Sequence, residues 1–177
     1  MKINIRKEER EDFEAVFNLI QQAFEQEEFT DHQEQFLVER LRNSEAFVPE
    51  LSLVAETDGK IAGYVLLTKL KIIADDLKET ESLALAPVAV LPEYQGKGVG
   101  GKLIRTAHQK ASELGFHSII LLGHSDYYPR FGYEMTKKFG IKLPFDVPDE
   151  NCMVIELSEN ALQHVSGTVH YPKEFEG

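Results

Sequence analysis

The chain has 177 residues, 42% of them hydrophobic, and its 30 acidic against 19 basic side chains give a formal charge of −11. That length suits a single domain with a sizeable core, and the acidic balance argues against a binder of nucleic-acid backbone, which needs a basic face. One cysteine excludes a disulfide framework, no Cys/His spacing matches a zinc site, and no segment reaches ~18 consecutive apolar residues.

Residues 2–6 alternate polar and apolar as a short strand, and Met1–Lys7 lacks the apolar core of a signal peptide. The expectation is a soluble, cytoplasmic protein. From Asp12, residues Phe13, Val16, Phe17, Ile20 and Phe24 recur at helical spacing. A second helix is expected after Thr30, with Thr30 as its cap, Gln33 in the capping-box position, and Phe36, Leu37 and Leu41 on its apolar face. Leu51–Glu56, the Asp58-Gly59 turn and Ile61–Ile73 read as an antiparallel hairpin. Leu83–Leu91 is almost purely apolar, as in a strand covered on both faces. A glycine cluster follows, then a helix over 99–114 with Val99, Leu103, Ala107, Ala111 and Leu114 on one stripe, closed by Gly115. Ser118–Leu122 is another buried strand, and the strand–helix–strand order makes it parallel to 83–91. A helical turn near 125–131, strands around 139–143 and 152–157, and a polar tail complete the chain. The sum is a single-domain mixed α/β fold over 1–157. The tail, 158–177, can add an edge strand through Val169-His170-Tyr171, cross to a second copy in a homodimer, or stay loosely packed.

The informative segment is Pro92-Glu93-Tyr94-Gln95-Gly96-Lys97-Gly98-Val99-Gly100-Gly101-Lys102. Glycines between a strand and a helix let the backbone approach a ligand, and the helix start offers unpaired N–H groups to an anion. Lys97, Lys102 and Arg105 outnumber Glu93 there, which favours a phosphate ligand over a purely structural turn. Gly96, Gly98 and Gly101 satisfy G-x-G-x-x-G, but the next strand ends in Ile120-Leu121-Leu122-Gly123, without the carboxylate that holds a ribose. Gly96–Lys102 also imitates a P-loop, but Leu103 stands where the Mg²⁺-binding hydroxyl belongs.

Gln95-Gly96-Lys97-Gly98-Val99-Gly100 matches Gln/Arg-x-x-Gly-x-Gly/Ala, and Tyr128-Pro129-Arg130-Phe131-Gly132-Tyr133 matches Tyr-x-x-x-Gly-Phe/Tyr. On these motifs, and on the order of elements from residue 2 to about 157, the chain resembles the GCN5-related N-acetyltransferases, in particular a bacterial subgroup of predicted members. The resemblance implies a mostly antiparallel sheet flanked by helices. It also implies a strand pair that splays to admit the pantetheine arm of acetyl-CoA. The backbone of Val88 and Val90, with Ala89 between them, would hold that arm, and Gln95, Gly96, Lys97, Gly98, Val99, Gly100 and Gly101 would wrap the pyrophosphate. Pro87, which has no N–H to donate, suits either an interrupted ladder or a bulge.

The implied reaction is attack of a neutral primary amine on the acetyl-CoA thioester, in a ternary complex. Tyr128 is the candidate general acid for the leaving thiolate, with an ordinary phenol pKa of roughly 10. Its alternative is a core aromatic in a Tyr-Tyr-Pro turn. The strand glutamate that many members carry is missing, since Leu83, Leu85 and Pro87 occupy that region. Glu81 is the nearest candidate base; Glu27, Glu28, His124 and Asp126 are others, and water alone is a further route. The Asn-x-x-Ala pattern often found before the tyrosine is also missing, and Ser125 can serve as an N-cap. Cys152 reads as a small buried hydrophobe, the six histidines have no metal spacing, and no metal is expected. The acidic surface favours a cationic acceptor such as a polyamine, an amino sugar or a basic protein N-terminus. No nucleic-acid or membrane partner is expected. The competing readings are a non-catalytic acyl-CoA-binding or sensing module, and an interaction protein that keeps only the fold.

Overall fold

The computed structural model describes residues 1–28 and 30–177. Its helices are α1 (Phe13–Phe24), α2 (Glu34–Arg42) and α3 (Val99–Glu113). The strands are β1 (Asn4–Lys7), β2 (Phe47–Thr57), β3 (Lys60–Ile73), β4 (Glu79–Val90), β5 (Ser118–Leu122), β6 (Glu134–Met135), β7 (Ile141–Lys142), β8 (Cys152–Glu156) and β9 (Gly167–His170). They form one sheet in the order β1-β2-β3-β4-β5-β8-β6, with β9 beside β3 and β7 beside β9. The ladder is antiparallel except where β4 meets β5 and β7 meets β9.

β3 is long enough to serve two partners on one edge. Its first part pairs with β2, and Lys71, Ile72 and Ile73 pair with His170, Val169 and Thr168. The segment after residue 157 is thus tied into the sheet through β9. Its side chains Leu162 and Val169 close a second apolar cluster with Leu70, Ile72, Ala84, Ile120, Ile141 and Val154.

Two neighbours on β3 show how the layers form, because successive strand residues point to opposite faces. Gly63 backs onto α3 so closely that a Cβ there would sit 2.8 Å from both Val99 Cγ1 and Leu103 Cδ1. Tyr64 faces the other way, its hydroxyl 2.7 Å from Ser52 Oγ. Ser52 Oγ donates to Glu8 Oε1 at 2.8 Å, and Glu8 takes Nε and Nη2 of Arg42, on α2, at 3.1 and 2.6 Å. Helices α3 and α2 therefore lie on opposite sides of the sheet.

The Glu8 side chain is 2% exposed and Arg42 10%, and the guanidinium also stacks 3.9 Å from the Phe13 ring centroid. Removing one partner of such a pair strands a buried charge, at a cost of about 3–5 kcal/mol. Arg42→Ala is therefore expected to lower the urea midpoint by that equivalent at pH 7, while exposed Lys71→Ala, facing Glu79, is expected to be near neutral.

Some local expectations are corrected. Thr30 does not cap α2; the helix starts at Glu34 with Gln33 as N-cap, because His32 takes a left-handed φ of 57° that a helix cannot continue through. Thr30 Oγ1 instead bonds the Glu34 carboxylate and accepts the His32 N–H. β2 begins at Phe47 rather than Leu51, and the two-residue β6 was not anticipated. Ser125 caps nothing: the turn before Gly132 is a 3-10 turn over Tyr128–Phe131, preceded by Tyr127.

Candidate active site

β4 and β5 begin as parallel neighbours and then part. They pair at Leu83–Ile119 and Ala84–Ile120, and no pairing continues beyond Ala84. The departure coincides with a bulge: between Val65–Val88 and Leu67–Leu85 the register shifts by one residue, which places the extra residue at Ala86–Pro87. Leu91 N–H returns to Ala62 O on β3 at 2.9 Å. Backbone direction alternates along a strand, so Ala89 also faces β3, while Val88 and Val90 turn their N–H and C=O toward the gap. The Val90 carbonyl accepts the Gln95 side-chain amide at 3.2 Å, which closes the following loop onto the strand end.

The chain then enters α3 through glycines in the left-handed region, Gly96 at φ 75° and Gly98 at φ 86°. Gly98 is the N-cap, and the first helical bond runs from Lys102 N–H to its carbonyl at 3.1 Å. Among the described residues, the N–H groups of Gly96 to Gly101 have no hydrogen-bond acceptor. Successive free N–H groups at a helix start form an anion site strengthened by the helix dipole. Gln95–Gly98 are exposed, and Val99 anchors the segment in the core. Glu93 is drawn away by Lys60 at 3.4 Å, whereas Lys97 lies over the Tyr94 ring and Arg105 over Phe131.

Tyr128 lies beyond the end of β5, 8% exposed, edge-on to Tyr127 and Tyr133 at centroid distances of 5.0 and 5.9 Å. Burial first, and the neighbouring Tyr127 second, push its phenol well above the ordinary value of 10, so the expectation of an ordinary phenol is corrected. Tyr127 was not singled out by sequence reasoning. Its hydroxyl lies 3.3 Å from where a Cβ on Gly100 would be, so it covers the first turn of α3. The repeated tyrosine was the available signal, but only the fold shows that the two rings face different neighbours.

Glu81 is exposed on β4 opposite Lys71, on the far side of the Leu83–Ala84 pairing from the splayed segment. The structure brings together the gap, the glycine turn and the tyrosines, and it leaves Glu81 apart from them. Among the described residues, no group of three or more His, Cys, Asp or Glu is placed to hold a metal ion. No described helix is long and apolar enough to cross a membrane.

His108, on α3, supports the tyrosines from behind: its Nε2 is 2.8 Å from the Tyr133 hydroxyl. Burial, then Arg105, depresses its pKa to about 4. In the unfolded chain the value is roughly 6.5, so below that pH the unfolded state binds the extra proton and stability falls as pH drops toward 4. Between pH 7.5 and 5 this is worth about 2 kcal/mol. In urea titrations at those two pH values, His108→Gln is expected to lose less stability than the native chain by about that amount; equal losses would rule His108 out as the cause.

A family model described as an acetyltransferase (GNAT) domain matches residues 4–136. The chain belongs to the GNAT acetyltransferase family. It is 40% identical over 116 residues to the uncharacterized N-acetyltransferase YjhQ of Escherichia coli K12, covering 65% of this chain and 64% of that protein. It thus spans just under two thirds of that relative's length. It is 29% identical over 126 residues to YhbS of the same strain, an uncharacterized N-acetyltransferase, covering 71% and 74% of the two chains. Among solved GNAT structures, that of E. coli YhbS in complex with CoA has a TM-score of 0.88 at 26% identity, covering 100% of this chain and 93% of the other. A Brucella melitensis GNAT acetyltransferase in complex with acetyl-CoA has a TM-score of 0.80 at 29% identity, covering 98% of each chain.

Proposed function

We propose that this GNAT protein transfers the acetyl group of acetyl-CoA to a primary amine. The observation that carries the reading is the parting of β4 from β5 beyond Ala84, opening directly onto the unpaired N–H groups of Gly96–Gly101. An extended arm fits a gap edged by the backbone groups that Val88 and Val90 turn toward it, the Val90 carbonyl being shared with the Gln95 side chain, and a pyrophosphate fits the glycine turn. The relatives crystallised with CoA and acetyl-CoA support the same ligand here.

In the reaction the amine nitrogen attacks the thioester carbonyl carbon, the C–S bond breaks, and the CoA thiolate leaves and is protonated. The amine loses its proton to water, since Leu85, Ala86 and Pro87 place no carboxylate along the splayed strand. A β4 N–H stabilises the carbonyl oxygen as charge builds there. The Tyr128 hydroxyl donates a hydrogen bond to the departing sulfur, and the thiolate takes up a proton equivalent to the one the amine released to water. The raised pKa of Tyr128 makes complete transfer ahead of C–S cleavage unfavourable, so its contribution is a hydrogen bond that strengthens as the sulfur gains charge. The net charge of −11 favours a cationic acceptor, such as a polyamine, an amino sugar or a basic N-terminus.

The absent strand carboxylate also suits a module that binds acyl-CoA without turnover. Calorimetric titration with acetyl-CoA tests what the two readings share: saturable binding is expected, and none by folded protein would sink both. Thiol release in the presence of spermidine, glucosamine or a basic peptide then separates them, because only the transferase releases CoA.

A further inference from the structure

Gly123 has an ordinary backbone, with no positive φ, so nothing in its own conformation demands glycine. Its surroundings do. A Cβ there would lie 2.4 Å from Cε2 and 2.8 Å from Cδ2 of the Tyr128 ring, and 3.2 Å from Leu121 Cδ1. The two approaches to the Tyr128 ring are closer than Cβ atoms come to other carbons, so a Cβ would force one side to move.

The backbone is not the side that yields. Gly123 N–H donates to Asn151 O at 2.9 Å, and Gly123 O accepts Asn151 Nδ2 at 3.0 Å, which extends the β5–β8 ladder one step past Leu122–Cys152. The other flanks of the Tyr128 ring carry Tyr127, edge-on at 5.0 Å, and Tyr133, which His108 anchors through its hydroxyl. The ring is therefore seated in a slot whose floor is the bare backbone of Gly123, at the end of the strand that parts from β4.

We infer that Gly123 is a positioning residue: by lacking a side chain it sets where the Tyr128 hydroxyl stands relative to the β4–β5 gap. This rests on the role proposed for Tyr128. It explains why the run of large apolar residues that ends β5, Ile119 to Leu122, is followed directly by glycine.

The test is a cycle of Gly123→Ala and Tyr128→Phe, read by thiol release from acetyl-CoA with the best of the three amine acceptors above and by calorimetric acetyl-CoA affinity. Gly123→Ala is expected to lower kcat about 10- to 100-fold, as for a misplaced reacting group, with cofactor affinity changed less than about twofold. In the Tyr128→Phe background, which keeps the ring but lacks the hydroxyl, adding Gly123→Ala is expected to change kcat little. Equal losses in both backgrounds would overturn the inference, as would an unchanged kcat in Gly123→Ala alone. If Tyr128→Phe alone is fully active, the proposed role of Tyr128 fails instead, and with it this inference.

A second readout needs no acceptor. In protein carrying [13Cζ]tyrosine, the Tyr128 signal, assigned by its loss in Tyr128→Phe, is expected to shift on adding CoA to the native chain. In Gly123→Ala the free-state signal is expected to be displaced and its CoA response lost. Identical spectra for the native and Gly123→Ala proteins would overturn the inference even if no acceptor is turned over. Retained CoA binding and cooperative thermal melting show that the variant is folded.

Discussion

Gly98→Glu is expected to abolish detectable acetyl-CoA binding while leaving the protein folded. Gly98 holds φ 86° and ψ 4° at the N-cap of α3. A residue with a Cβ pays about 1–2 kcal/mol in that conformation, enough by itself to weaken the site about tenfold if the loop must relax. Space is not the difficulty, since a Cβ on Gly98 would meet no atom within 4 Å. The glutamate adds a negative charge where unpaired N–H groups and the dipole of α3 favour an anion, and converts attraction into repulsion. The expected order of affinity is native chain, then Gly98→Ala about tenfold weaker, then Gly98→Glu weaker by a hundredfold or more. The melting temperature should fall by only about 2–8 °C for either variant, with unfolding still cooperative, because Gly98 is exposed and its carbonyl still starts the helix. Native-like affinity in Gly98→Glu would place the cofactor elsewhere and remove the basis of the proposed function.

The second large effect is on turnover rather than binding. Tyr128→Phe is expected to lower kcat about 100-fold, near the lower end of the range for a lost general acid, and to leave the acetyl-CoA dissociation constant unchanged. The lower end is expected because the raised phenol pKa weakens proton transfer and leaves chiefly a hydrogen bond to the departing sulfur. The same shift has a pH consequence. Burial disfavours the phenolate, so the hydroxyl stays protonated through the range where an ordinary tyrosine near 10 would ionise. On the proposed function the native protein should therefore show no alkaline loss of kcat around pH 10, and its rising limb should follow deprotonation of the acceptor amine. An alkaline decline near 10 that disappears in Tyr128→Phe would show an unshifted phenol. Full activity of Tyr128→Phe would return the residue to a packing role and leave the thiolate to water.

Much of the fold was legible because its signals are local. The 3.6-residue spacing of Val16, Ile20 and Phe24, the Asp58-Gly59 turn and the apolar run at 83–91 depend only on near neighbours in the chain. The glycine turn was legible for the same reason: left-handed backbone at Gly96 and Gly98 is a demand of the loop itself, and glycine meets it most cheaply. Helix starts were less so. Thr30 has the right chemistry for a cap, yet the left-handed turn at His32 moves the start of α2 to Glu34.

By itself, then, the sequence determined the order and type of the main elements, the left-handed glycine turn that leads into α3, and the family through two spaced motifs. The tertiary structure alone decided where β4 leaves β5, that Glu8 and Arg42 would be buried together against Ser52 and Tyr64, and that Tyr128 would be seated on Gly123. It also set the acidity of Tyr128 and His108. The division follows from range. Propensity and periodicity are properties of a few consecutive residues, whereas desolvation, ion pairing and steric fit depend on atoms that only folding brings within a few ångströms of one another.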